Sequence, residues 1–256
     1  MQMSMRVQVH PLSSKMSRGS LAVMAAWTRK TVVTDPWFLK AKKEGYVSRA
    51  AYKLKEIQLK HKVVKPGGRV LDLGCSPGAW MQVACQELGP KERGGLVLGI
   101  DIQAVCVPDK FCDTRVKVLQ ADARTLPPSV LIEYAPQGFD TVLSDMLHST
   151  SGVNDVELSL ELAGTALHIA TGYFFDEYGE EYAQRVGFRH TGYLRPGGSL
   201  VMKVYEGSGT NDFMRSMQRY FTKVARMRVD ASRSASREFF AVGVGRKKPL
   251  QTEEAA

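Results

Sequence analysis

The 256-residue chain is 44% hydrophobic and 24% charged, enough apolar material to bury a full core, which excludes an intrinsically disordered chain. A surplus of 35 Lys and Arg over 26 Asp and Glu leaves a formal charge of +9, which favours polyanionic partners, most simply nucleic acid. Cys75, Cys85, Cys106 and Cys112 form no Cys-x-x-Cys pair, so structural zinc, any other metal centre and a disulfide framework are disfavoured.

Residues 1–34 read as a basic extension. The first acid is Asp35, and Arg6, Lys15, Arg18, Arg29 and Lys30 precede it among several serines. That composition suits an organellar transit peptide, mitochondrial or chloroplast, the alternatives being an unstructured basic tail or a start site placed too early, since Met16 and Met24 follow, with cytoplasm and nucleus left open as locations. The apolar run Leu21 to Trp27 is far short of the ~20 residues that span a bilayer, so no membrane domain is expected.

From Asp35 to Val64 the spacing predicts helix, with Phe38, Leu39, Tyr46, Ala50, Ala51, Leu54 and Ile57 on an apolar face among lysines. Pro66-Gly67-Gly68 breaks it. Buried-strand candidates follow at Val70–Leu73, Val97–Asp101, Val116–Leu119, Phe139–Ser144 and Ser199–Tyr205, separated by helix-length segments. This alternation predicts a doubly wound, Rossmann-like α/β sheet. A polar surface insertion is expected over 172–195, before a second Pro-Gly-Gly at 196–198. Asn211–Phe221 reads as a helix, and Val224–Val229 with Phe239–Val244 as two closing strands joined by a Ser/Arg-rich loop. Residues 35–247 then form one domain and 248–256 a flexible tail.

The run from Val70 to Trp80 is a strand entering a glycine turn that should open a helix, where free N–H groups await a ligand. A dinucleotide site would place Gly-x-Gly-x-x-Gly there. Here the turn is Gly-x-x-x-Gly, Gly74 to Gly78. One strand later, Asp101 can accept hydrogen bonds from both ribose hydroxyls of an adenosyl group, and Asp122, after the third strand, can reach the adenine amino group. In this order the glycine turn and the two acids favour an adenosyl cofactor.

Five segments then carry a resemblance: Arg49 to Ile57, the 70–80 turn, Leu143 to Met146, Gly197 to Val204, and Ser232 to Glu238. In this order they resemble the FtsJ-type ribosomal RNA 2′-O-methyltransferases over roughly residues 35–247. The resemblance implies an S-adenosylmethionine-dependent methyltransferase fold, a mostly parallel seven-stranded sheet with an antiparallel closing strand. It also implies a Lys-Asp-Lys-Glu tetrad, Lys53, Asp145, Lys203 and Glu238, and cofactor contacts at Gly78, Trp80, Asp101, Asp122 and Asp145. The substrate it implies is ribosomal RNA or a large-subunit precursor, with a uridine as the target and a monomeric enzyme.

A ribose hydroxyl is a poor nucleophile, so the enzyme must act on it. Lys203 is the candidate base and must lose its proton, which burial and a neighbouring Lys53 would favour, while Asp145 would orient it and Glu238 would position Lys53 or the ribose. The sequence departs from the family after Met146: Leu147-His148-Ser149 replaces the usual Ala-Pro-Asn, which bears on substrate geometry. Lys40, Lys42, Lys43, Arg49, Lys53, Lys55, Lys60, Lys62 and Lys65, interleaved with Trp37, Phe38, Tyr46 and Tyr52, form the densest basic stretch and offer phosphate neutralisation and stacking, with Arg233 and Arg237 as further phosphate contacts. Two alternatives stay open: a transfer-RNA or cap 2′-O-methyltransferase, and a non-catalytic RNA-binding ribosome-assembly factor. A base methyltransferase is disfavoured by the absence of an [Asp/Asn]-Pro-Pro-[Tyr/Phe] motif after the fourth strand.

Overall fold

The computed structural model describes residues 35–147, 154–174, 185, 187–189, 191–232 and 236–248. Residues 1–34 and 249–256 lie outside the described residues, as do His148, Ser149 and Arg233.

Two helices lead into the sheet. Helix α1 (Pro36–Glu44) starts where the Asp35 side chain accepts the N–H groups of Trp37 and Phe38, with Pro36 pre-set at the first helical position. It stops at Gly45, and α2 (Ala50–His61) begins after the intervening turn. The single helical stretch expected over 35–64 is therefore two helices, because Gly45 takes a left-handed conformation that ends the first.

The sheet has seven strands: β1 (Arg69–Leu73), β2 (Leu96–Asp101), β3 (Val116–Gln120), β4 (Phe139–Ser144), β5 (Leu194–Tyr205), β6 (Phe221–Met227) and β7 (Glu238–Arg246), in the order β3-β2-β1-β4-β5-β7-β6. All pairings among β1 to β5 are parallel, and β7 runs antiparallel to both β5 and β6. This is the expected mostly parallel sheet with one antiparallel strand. The order reverses between β1 and β4, and an α/β sheet opens a ligand crevice beyond the carboxyl ends of its strands at such a point.

Helices α3 (Ala79–Glu87), α4 (Pro128–Tyr134), α5 (Asp155–Thr171) and α6 (Thr210–Met217) complete the core. Strand residues alternate between two faces. Val70, Leu143, Val201, Phe240 and Val242 pack under α2 and α3, whereas Leu71, Val142, Met202, Phe239 and Ala241 pack under α5. Among the described residues no helix is long and apolar enough to cross a membrane.

Three expectations are corrected. Strand β5 starts at Leu194, before Pro196-Gly197-Gly198, because the Pro-Gly-Gly turn is absorbed as an irregularity: Phe139 pairs with Leu194 but Thr141 with Ser199. Helix α6 ends at Met217, and Phe221 already opens β6, buried against the sheet. The insertion over 172–195 is not wholly on the surface. Tyr193 is buried, Gly192 lies so close to α5 that a Cβ would stand 2.4 Å from Thr171 N, and Phe174 and Phe188 both stack on His168 at 4.6 Å.

Candidate active site

Register decides which side chains meet. Asp72 of β1 pairs with Leu143 of β4, so Asp72 and Asp145 project to the same side, two residues apart along it. Leu143 pairs with Val201, which places Lys203 beside Asp145, and Lys203 pairs with Phe240, two residues from Glu238. Four adjacent strands thus present Asp72, Asp145, Lys203 and Glu238 on the face that α2 and α3 cover. Helix α2 adds Lys53 from above.

All four tetrad residues come together, as two ion pairs. Lys53 Nζ lies 2.5 Å from Glu238 Oε1, both side chains about 10% exposed, and Ser232 Oγ donates to the same oxygen at 2.5 Å. Lys203 Nζ donates to the Asp145 carbonyl at 2.7 Å and lies 3.0 Å from its carboxylate Oδ1. The two lysines therefore do not face each other as bare like charges. Each has its own carboxylate.

Beside this pair of ion pairs opens a cleft of about 290 Å³, lined on one side by Asp145, Met146 and Leu147 and on the other by Asp101, Asp122 and Arg124. Gly74 forms its floor at the tip of β1. With φ at 75° and a Cβ that would stand 2.9 Å from Met146 N, the position admits glycine alone without a shift of the backbone. Asp101 Oδ2 accepts the Ser76 N–H at 2.9 Å and Oδ1 that of Gln103 at 2.8 Å, so the carboxylate is oriented by the turn and keeps acceptor capacity for hydroxyls. Asp122 takes a two-nitrogen fork from Arg124, closest at 2.7 Å, together with the Arg124 backbone N–H.

Two further residues expected at the cofactor, Gly78 and Trp80, stand at the start of α3. Trp80 is buried, its Nε1 donates to the Ala50 carbonyl at 2.9 Å, and its ring packs on Phe240 at 5.7 Å. Its indole therefore supports the face beneath the tetrad and does not line the cleft. Gly78 likewise does not line it; a Cβ there would meet Pro108 at 2.7 Å, so its smallness lets the loop after β2 close on the start of α3. The stacking role expected for two aromatics of the basic stretch is also corrected. Tyr46 and Tyr52 are core residues, buried because their rings pack together at 5.8 Å, with Lys40 and Lys55 lying over ring faces.

Asp72 was readable as an acid inside an apolar strand, yet nothing in its spacing assigned it a place. It is fully buried and neither carboxylate oxygen has a hydrogen-bond partner. Burial, and then Asp145 and Asp101, push its carboxyl well above the usual range. Arg124 and Ser232 were also missed, since their partners are recognisable only once the loops have folded.

The cleft thus combines Asp101, Asp122 and Asp145 with apolar Ile102 and Leu162 at a parallel-sheet switch point. Such an acid-rich floor repels a pyrophosphate and suits an adenosyl group bearing cationic centres. S-adenosylmethionine fits this donor set: Asp101 would hold the ribose, Asp122 the adenine edge and Asp145 the side nearest the sulfonium.

Residues 46–246 match the family model described as FtsJ-like methyltransferase. The chain is 40% identical over 220 residues to the ribosomal RNA large subunit methyltransferase E of Syntrophobacter fumaroxidans, covering 84% of this chain and 98% of that protein. It is 37% identical over 242 residues to the protein of the same name from Acinetobacter baylyi, covering 93% and 97%. Among solved structures, a Plasmodium falciparum protein described as a ribosomal RNA methyltransferase superposes with a TM-score of 0.59 at 25% identity, covering 80% of this chain and all of that one.

Proposed function

The chain belongs to the FtsJ-like methyltransferase family, and from that premise we propose that it methylates a ribose 2′-oxygen of ribosomal RNA, at a uridine of the large subunit, with S-adenosylmethionine as donor. The observation that carries the reaction is the Lys203–Asp145 arrangement. The relatives' shared name supports the RNA class.

When bound, S-adenosylmethionine supplies a methyl group on a sulfonium, already activated for in-line displacement. The protein's task is the hydroxyl. Lys203 Nζ donates to the Asp145 carbonyl and forms an ion pair with the carboxylate of the same residue. Once deprotonated, the amine keeps a hydrogen for that carbonyl and has a lone pair for a hydroxyl. A 2′-hydroxyl placed beside it would pass its proton to Lys203.

Lys53 and Glu238, about 10% exposed as a pair, border the same face. They orient the ribose beside Lys203, while exposed Lys40, Lys42, Lys43 and Lys55 meet phosphates of the approaching RNA. The basic composition before Asp35 supports import into an organelle, which expression of a tagged chain with and without residues 1–34 would check.

The deciding experiment is transfer of labelled methyl from S-adenosylmethionine to large-subunit particles, with transfer RNA and capped RNA in parallel, followed by mapping of 2′-O-methyl sites. Label at one ribose of the particle supports the proposal. Label on transfer RNA or cap alone replaces the substrate. Cofactor binding without label on any RNA points to an assembly factor.

A further inference from the structure

Lys53 and Glu56 lie one turn apart on α2, and both hold the segment that joins β6 to β7, one at each end. Glu56 Oε2 accepts the backbone N–H of Asp230 at 2.8 Å and its Oε1 accepts that of Ala231 at 3.1 Å. Eight positions later Lys53 meets Glu238. Ser232, next after the clamped residues, donates its hydroxyl to the same Glu238 oxygen. One helical turn therefore grips the entry and the exit of the connection, and the two grips are joined through Ser232.

The arrangement is demanding. Strand β6 ends at Met227, and Val229 and Ala231 turn into the core while Asp230 between them stays exposed. Two consecutive N–H groups here would lack protein acceptors without Glu56, and a carboxylate satisfies both with charge-assisted hydrogen bonds. The exit is tied as well, since Glu206 N donates to the Arg237 carbonyl at 2.8 Å.

We propose that Glu56 is a positioning residue for methyl transfer: its clamp on Asp230 and Ala231 sets Ser232, which sets Glu238 against Lys53. Glu56 itself does not line the cleft. The role rests on the methyl-transfer reading, and it gives the Lys53-Leu-Lys-Glu56 spacing a use that catalysis by the tetrad alone does not.

The test compares Glu56→Ala, Glu56→Gln, Ser232→Ala and the Glu56→Ala/Ser232→Ala double variant with the wild-type chain. Amide hydrogen exchange at Asp230 and Ala231, kcat at saturating RNA, and KM for S-adenosylmethionine are measured. In Glu56→Ala, exchange at the two amides speeds up by about tenfold or more and kcat falls about tenfold, with KM for the cofactor within about twofold. Glu56→Gln, whose amide oxygen still accepts, returns kcat to within about threefold of wild type, and the double variant is no slower than the slower single one, because the residues act in series. Turnover of Glu56→Ala within about twofold of wild type, or unchanged amide exchange, overturns the role alone. So does equal loss in Glu56→Gln together with weakened cofactor binding, which would mark general destabilisation. A wild-type chain silent on every RNA sinks the methyl-transfer reading and this role with it.

Discussion

The cleft and the tetrad share a rim yet are built in opposite ways. Around the cleft, side chains are oriented largely by near neighbours: Asp122 by Arg124 and one Asp101 oxygen by Gln103, each pair two residues apart, with Ser76 of the β1 turn holding the other Asp101 oxygen. In the tetrad every tie joins distant chain. Lys203 reaches back 58 residues to Asp145, and Lys53 on α2 meets Glu238 on the last strand. A locally oriented site tolerates loss of one member by relaxing within its own loop. A site assembled from ion pairs between distant elements passes the loss to the fold, since an unpaired buried charge costs about 3–5 kcal/mol.

The largest effect expected from this contrast is on Lys203→Ala, which should lower methyl transfer by on the order of 10²–10⁴ while the dissociation constant for S-adenosylmethionine, read by calorimetry, moves less than about threefold. Turnover retained in that variant removes Lys203 as the base. Next comes Glu238→Gln, which leaves Lys53 buried without its carboxylate. Unfolding stability should fall by about 3 kcal/mol in denaturant melts, and Lys53→Met/Glu238→Gln should regain most of that stability but not turnover. Recovery of both would show that the pair is structural.

On the cleft side, Asp101→Asn should weaken cofactor binding about 10- to 30-fold, as expected for losing one charge-assisted hydrogen bond, with kcat at saturating cofactor nearly unchanged and thermal midpoint little shifted. A fall in stability as large as that of Glu238→Gln would erase the distinction between the halves. The smallest effect concerns Asp72, which lies where the halves meet. Its folded carboxyl is raised, so the stability it contributes is fully present below the unfolded value near 3.8 and is lost as pH rises through the folded value. Thermal melts of wild type and Asp72→Asn should diverge in the variant's favour as pH climbs from about 4 to 7; parallel curves would mean that Asp72 finds a partner in solution.

The same contrast decides what could be read from the sequence. Strands β1 to β4 were legible because each is a short apolar run with turn residues at both ends, and the order of Gly74, Asp101 and Asp122 follows those strands. The tetrad was legible only through resemblance, since nothing in local spacing links Lys53 to Glu238. Side-chain direction was the part that failed. Tyr46 and Tyr52 look like RNA contacts in a basic context, but their rings pack against each other and against Phe111 and Trp37. Glu56 escaped notice because its partners are backbone N–H groups, which every sequence possesses.

Strand β7, wedged antiparallel between β5 and β6, has a consequence in the order of synthesis. A chain made from its N-terminus can lay down β1 to β5, and with them the acids of the cleft, while β6 waits exposed because its only neighbour in the sheet has yet to be translated. On the proposed reading, the acids that would hold the methyl donor are thus laid down before Glu238, the last member of the tetrad, joins them from the final strand.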